Sequence, residues 1–163
     1  MKRTLWTLAM CVAAPLAGAG GSSAVDDKAR AQQITRSADQ ASTAGPEDYF
    51  TGQVRVDPLF AASEEINASG AYVTFAPGSR SAWHTHPAGQ RLVVVSGVGL
   101  TQEWGKPVQQ IHPGDVVVCP PGVKHWHGAA ADGAMTHLAV TGSVDGKSVT
   151  WMEKVTDEQY QNR

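Results

Sequence analysis

Apolar and polar residues alternate with a period of two in several short stretches of this chain. Gln53-Val54-Arg55-Val56 and Ala71-Tyr72-Val73-Thr74-Phe75 put alternate side chains on one face, as a half-buried strand does. Leu92 to Val95 is a continuous apolar run, and further short runs cover Val108 to Ile111, Val116 to Cys119, Met135 to Val140 and Val149 to Trp151. Between them stand Pro77-Gly78, Gly97, Gly105, Pro113-Gly114, Pro120-Pro121-Gly122 and Gly133. Short strands separated by such turn residues predict an all-β sandwich or barrel. A helix is expected only at the C-terminus, where Thr156-Asp157-Glu158-Gln159 has the form of a capping box with acids in the first turn.

The N-terminus has a different texture. Lys2 and Arg3 precede an uncharged run from Leu5 to Ala19, and the small residues Ala17, Ala19, Ser22 and Ala24 fall at its exit. This is the layout of a secretory signal. Residues 1–24 are therefore expected to be removed on export, which places the mature protein in the bacterial periplasm without a membrane anchor. Residues 25–46 read as a polar, solvated arm with one short strand near Ile34, and residues 47–163 as a single barrel domain. Export would remove Cys11 and leave Cys119, which sits in Val116-Val117-Val118-Cys119 and reads as a small buried hydrophobe.

Composition narrows the function. A chain of 163 residues, 42% of them apolar, can build one well-packed domain. Its net charge is −2 and no block of like charge occurs, so a nucleic-acid-binding surface is excluded as a main theme. Two cysteines exclude a disulfide scaffold.

The histidines carry the candidate chemistry. His84-Thr85-His86 places two imidazoles on one face of a strand, and His125-Trp126-His127 repeats the spacing. Gln90 follows four residues after His86, and His137 lies within Met135 to Val140. Imidazole is the commonest protein ligand for transition metals. His112, in His112-Pro113-Gly114-Asp115, belongs to a turn and is expected to be exposed. Trp126, between two inward histidines, is expected to face away from them.

The framing glycines and prolines point to a family. Gly78, His84-x-His86, Gln90 and Gly97 resemble the first motif of the cupin superfamily, with Gln90 at its acidic position. Gly114, Pro120-x-Gly122 and His125 resemble the second, with Ala129 where an Asn is usual. The stretches Val56-Asp57-Pro58-Leu59-Phe60, Trp83-His84-Thr85-His86-Pro87, Lys124-His125-Trp126-His127-Gly128-Ala129 and Met135-Thr136-His137-Leu138-Ala139 are similar to bacterial cupin-type (R)-hydroxynitrile lyases. The resemblance covers about residues 32–163. It implies a single-domain jelly-roll β-barrel with a short C-terminal helix and one metal inside. The ligands it implies are His84, His86, Gln90 and His125, with Mn2+ expected and Fe, Ni or Zn as alternatives.

The same resemblance implies a lyase that cleaves or forms cyanohydrins, with a small carbonyl compound and cyanide as the other partners of the reaction. His127 and His137 share faces with His125 and with Ala139 and Thr141, so both are expected to enter the cavity without binding metal, one of them as general base. Ser81 either hydrogen-bonds a substrate or closes a loop. Ala71, Val73 and Phe75 are expected to form a pocket wall. Two other readings share the site: an exported dioxygenase or oxidoreductase using Fe, and a non-catalytic cupin that binds a metal or small molecule. Barrel edges need cover, so a homodimer or homotetramer is expected.

Overall fold

The computed structural model describes residues 31–161. The expected signal segment, Cys11 and the first residues of the polar arm lie outside the described residues. Residues 31–34 form no strand, and Ile34 is exposed, so pairing there would bury no apolar face. The strand expected near Ile34 is replaced by one at Thr43–Ala44.

Among the described residues, those from Thr35 onward form thirteen short strands and one α-helix. The strands are β1 (Thr43–Ala44), β2 (Phe50–Thr51), β3 (Val54–Phe60), β4 (Ala68–Phe75), β5 (Arg80–Ser81), β6 (His84–Thr85) and β7 (Gln90–Ser96). They continue as β8 (Gly99–Glu103), β9 (Gln109–Ile111), β10 (Val116–Cys119), β11 (His125–Ala129), β12 (Met135–Gly142) and β13 (Thr150–Trp151), followed by α1 (Asp157–Gln161). All pairings are antiparallel. One sheet has the order β1-β3-β4-β12-β7-β10; the other runs β13-β6-β11-β5-β2, with β8 on β11 and β9 on β8.

Alternation decides what each face carries. On the first sheet, Val73, Phe75, Leu92, Val94, Met135 and Ala139 are buried and form the main core with Phe50. The period-two pattern was legible here because apolar side chains gain free energy on one face only. Register then sets rows across the inner face. Val73 pairs with His137 and His137 with Val94; Ser69 pairs with Thr141 and Thr141 with Gln90. The polar Thr141 row thus crosses the sheet four residues from the His137 row, with the apolar row of Ala71, Ala139 and Leu92 between them.

A second core lies on the far side of β11. Trp83, Leu100, Trp126, Val155 and Tyr160 pack there, so Trp126 does face away from the flanking histidines. The C-terminal segment closes over it. Arg80 is buried and donates from Nη2 to Val155 O (3.0 Å) and Asp157 (2.6 Å), while the Tyr160 hydroxyl donates to Ala129 O (2.8 Å). The predicted capping box is present: Gln159 N donates to Thr156 Oγ1 (3.1 Å) and Thr156 N to Gln159 Oε1 (3.0 Å). Gly97 turns the chain between β7 and β8 at φ +74, where an added Cβ would lie 1.9 Å from Ala134 O. Only glycine fits there.

Candidate metal centre and cavity

Strands β6 and β11 pair at one point, His84 opposite His125, and this brings the two histidine pairs together. The ring centroids of His84 and His125 are 4.3 Å apart, those of His84 and His86 5.0 Å, and those of His86 and His125 5.4 Å. Gln90 enters from β7 on the facing sheet. The two motifs name these four residues; the pairing of β6 with β11 brings the histidines together.

Main-chain carbonyls set the tautomers. His84 Nδ1 lies 2.9 Å from Ala82 O, His86 Nδ1 2.6 Å from Ser148 O and His125 Nδ1 2.9 Å from Val123 O. A carbonyl only accepts, so each neutral ring carries its proton on Nδ1 and keeps a lone pair on Nε2. Gln90 Nε2 donates to Thr141 Oγ1 at 3.0 Å, which leaves Oε1 as the acceptor on the other side. Nε2 of His86, Nε2 of His125 and Oε1 of Gln90 are all buried without a hydrogen-bond partner. Each unpaired buried acceptor costs about 1–3 kcal/mol. A set of acceptors with no proton to offer fits a cation, and imidazole with amide oxygen suits a first-row divalent ion.

Distance alone singles out a partly different group. One ligating nitrogen from each of His84, His125 and His127 lies within 4.8 Å of the others. These three could hold a metal ion. His127 has its other nitrogen engaged: His137 Nε2 and His127 Nδ1 are 3.1 Å apart. The sequence placed His127 in the cavity but gave no sign that it stands so near His84.

The cavity beside these rings has a volume of about 180 Å3. His127 and His137 line it, with Ala71, Val73, Ala139 and Trp151 among the apolar walls. Phe75 packs behind, with ring centroids 5.6 Å from His127 and 5.7 Å from His137. Ser81 is buried, and its Oγ accepts the His127 backbone N–H at 3.2 Å. It braces β11 from behind rather than joining the cavity lining. His112 is exposed in its turn, and Cys119 is buried, with burial pushing its thiol up to about 11. Phe50, Ser69, Ser148 and Trp151 complete the surroundings and were not singled out as site residues. Phe50, Ser69 and Trp151 lie on β2, β4 and β13 and Ser148 in a connection, and no local pattern in those stretches marks their contact with the cavity.

Burial keeps the imidazoles neutral. Desolvation, then the neighbouring rings, holds His84 and His127 well below the ordinary histidine value; desolvation alone brings His137 down to about 4. Between pH 6.5 and about 4 the unfolded chain binds a proton at residue 137 and the folded chain does not. Stability of the metal-free protein therefore falls as pH drops from 6.5 toward 4, by roughly 3 kcal/mol for this ring, and the loss saturates below that window. Thermal unfolding of chelator-treated protein at pH 7, 6 and 5 should show a steadily lower midpoint; a flat profile would contradict the neutral, buried pair.

Known proteins agree with this architecture. Residues 71–141 match the family model described as a cupin domain. The chain is 59% identical over 128 residues to the (R)-mandelonitrile lyase of Granulicella tundricola, covering 78% of this chain and 98% of that protein. A cupin-like protein from Thermotoga maritima superposes with a TM-score of 0.69 at 42% identity, covering 73% of this chain and 90% of that one. A cupin-2 domain from Rhodospirillum rubrum does so at 0.61 with 22% identity over 78% and 83% of the two chains, a likeness of fold. On its motifs, its barrel and these relatives, the chain belongs to the cupin superfamily and resembles the bacterial hydroxynitrile lyases within it.

Proposed function

We propose that this protein is a metal-dependent hydroxynitrile lyase that cleaves cyanohydrins to an aldehyde and hydrogen cyanide and runs the reverse addition. The observation that carries the reading is the pairing of buried, partnerless acceptors on His86, Gln90 and His125 with 59% identity to a mandelonitrile lyase. His84, His86, Gln90 and His125 would hold a divalent cation, Mn2+ on the strength of the family resemblance. When bound, the cation supplies Lewis acidity to a hydroxyl oxygen at the site.

The chain's own residues do the rest. Ala71, Val73 and Ala139 leave room for the organic group of the substrate, and Trp151 offers it an aromatic face. The His127–His137 pair takes the hydroxyl proton. The O–H electrons form the carbonyl double bond as the C–CN bond breaks, and cyanide leaves with that bond's electron pair. The protonated pair then returns the proton to cyanide. Because one hydrogen bond links His137 Nε2 and His127 Nδ1, the two rings act as a unit, His127 nearer the ligand cluster and His137 behind it.

The test is mandelonitrile cleavage by purified protein of known metal content. Rapid benzaldehyde release supports the reading. No turnover in a metal-replete sample favours a non-catalytic binding cupin, and oxygen uptake after anaerobic Fe loading favours an oxidoreductase.

Gln90 separates Lewis-acid from redox chemistry. Three neutral imidazoles and an amide leave a divalent charge uncompensated, whereas Gln90→Glu adds one negative charge to the donor set. The variant should bind metal as well or better and cleave mandelonitrile more slowly, as measured by side-by-side metal titration and turnover. Faster cleavage would overturn the electrostatic reasoning.

We place the mature protein in the periplasm, on the strength of residues 1–24, and as a homodimer or homotetramer. Exposed Tyr72, Val95, Val116 and Val118 give the outer face of the first sheet an apolar character that a second copy would cover. Sedimentation velocity at micromolar concentration should show an assembly larger than one chain; a monomer would contradict it.

A further inference from the structure

We infer that Thr141 is a positioning residue for the metal centre: its hydroxyl oxygen holds the Gln90 amide so that the carbonyl oxygen, and not the amino group, faces the histidines. The inference rests on the reading of Gln90 as a ligand and adds a residue outside both histidine motifs.

An amide is a ligand of two faces. Oε1 can bind a cation, while Nε2 carries two protons and repels one. The side chain is nearly symmetrical in shape, so packing alone does not choose between its two orientations. Something must accept from Nε2. In this fold the register does it. Thr141 on β12 stands directly opposite Gln90 on β7, on the inner face, and Thr141 Oγ1 accepts from Gln90 Nε2 at 3.0 Å. On its other side Gln90 faces Cys119 on β10, a weak partner for an amide. Gln90 is buried and its Oε1 has no partner. The donated proton also draws electron density toward Oε1, which strengthens it as a donor.

A valine at position 141 keeps the shape and removes the acceptor. With Oε1 on the metal, the amino group would then be buried against a methyl group. A lost outer partner of a metal ligand typically costs roughly 10–100-fold in metal affinity.

The experiment is a metal-affinity series by chelator competition with Mn2+, on wild type, Thr141→Val, Thr141→Ser, Gln90→Ala and the Gln90→Ala/Thr141→Val double variant, each checked for folding by circular dichroism. The expected result has four parts. Thr141→Val binds roughly 10–100-fold more weakly. Thr141→Ser, which keeps the hydroxyl, binds nearly as wild type. Gln90→Ala binds more weakly than wild type. Adding Thr141→Val to Gln90→Ala causes no further loss, because there is no amide left to orient. If the further loss appears in full, Thr141 acts through general structure and the inference is overturned. If Thr141→Val binds as wild type while Gln90→Ala does not, Gln90 remains a ligand and only the inference fails. If Gln90→Ala itself binds as wild type, the ligand reading fails and takes the inference with it.

Discussion

His84→Ala is expected to lose bound metal and cyanohydrin cleavage together. His84 is the residue at which the cluster is assembled: it pairs with His125 across the sheet, with Trp151 on its other side, and its ring centroid lies 5.3 Å from that of His127. Its Nδ1 is fixed by Ala82 O, so Nε2 is the nitrogen offered to a cation. Alanine deletes that donor and leaves three. A bound cation contributes several kcal/mol to stabilising developing charge on oxygen, which corresponds to more than roughly 10³-fold in rate. The check is elemental analysis and mandelonitrile turnover on the same preparation. A variant that keeps full metal but loses activity would mean that His84 is a base and not a ligand.

His137→Ala is expected to show the opposite split. Its metal content should stay near wild type, while cleavage falls by roughly 10²–10⁴-fold, the usual worth of a positioned general base. His137 is fully buried on β12, lines the cavity and is bonded to His127. His127→Ala should lose cleavage to a similar degree, and the double variant little more, because residues acting as one unit are not additive. Metal analysis on His127→Ala carries extra weight. If that variant loses its metal, the His84, His125 and His127 trio holds the ion and His137 is the base alone. If neither single variant loses cleavage, the proposed proton path is wrong.

Much of this architecture is written in the sequence, and the reasons are local. Ala71–Phe75, Leu92–Val95, Val116–Cys119 and Met135–Val140 all lie within strands, because alternating or continuous apolar residues specify a buried face. The capping box at Thr156 is equally legible, since its two hydrogen bonds span three residues. The strands β2, β5 and β6 have two residues each, too few to show any period. β8 escapes because Gly97-x-Gly99 reads as a turn and Thr101-Gln102-Glu103 is polar. The second core, which joins Trp83 to Val155 and Tyr160, depends on the C-terminal segment folding back over β11, and no pattern within either stretch announces it.

The same division holds inside the site. Alternation puts His125 with His127, and His137 with Ala139 and Thr141, on shared faces. Which inward residues touch depends on register within a sheet and on how the two sheets face each other. The Gln90–Thr141 bond joins β7 to β12, and the His127–His137 bond joins β11 on one sheet to β12 on the other. Ser81 shows the limit most clearly: three residues before His84, it reads as a candidate for substrate or a loop end, and no local pattern announces that its Oγ accepts the His127 backbone N–H.

The most direct test of the account is to remove the metal and put it back. Purified protein is analysed for metal, stripped with a chelator, assayed for mandelonitrile cleavage, and assayed again after reloading with Mn2+. Near one equivalent of divalent metal per chain is expected, with negligible cleavage after stripping and recovery on reloading. Full cleavage by the stripped protein would contradict it.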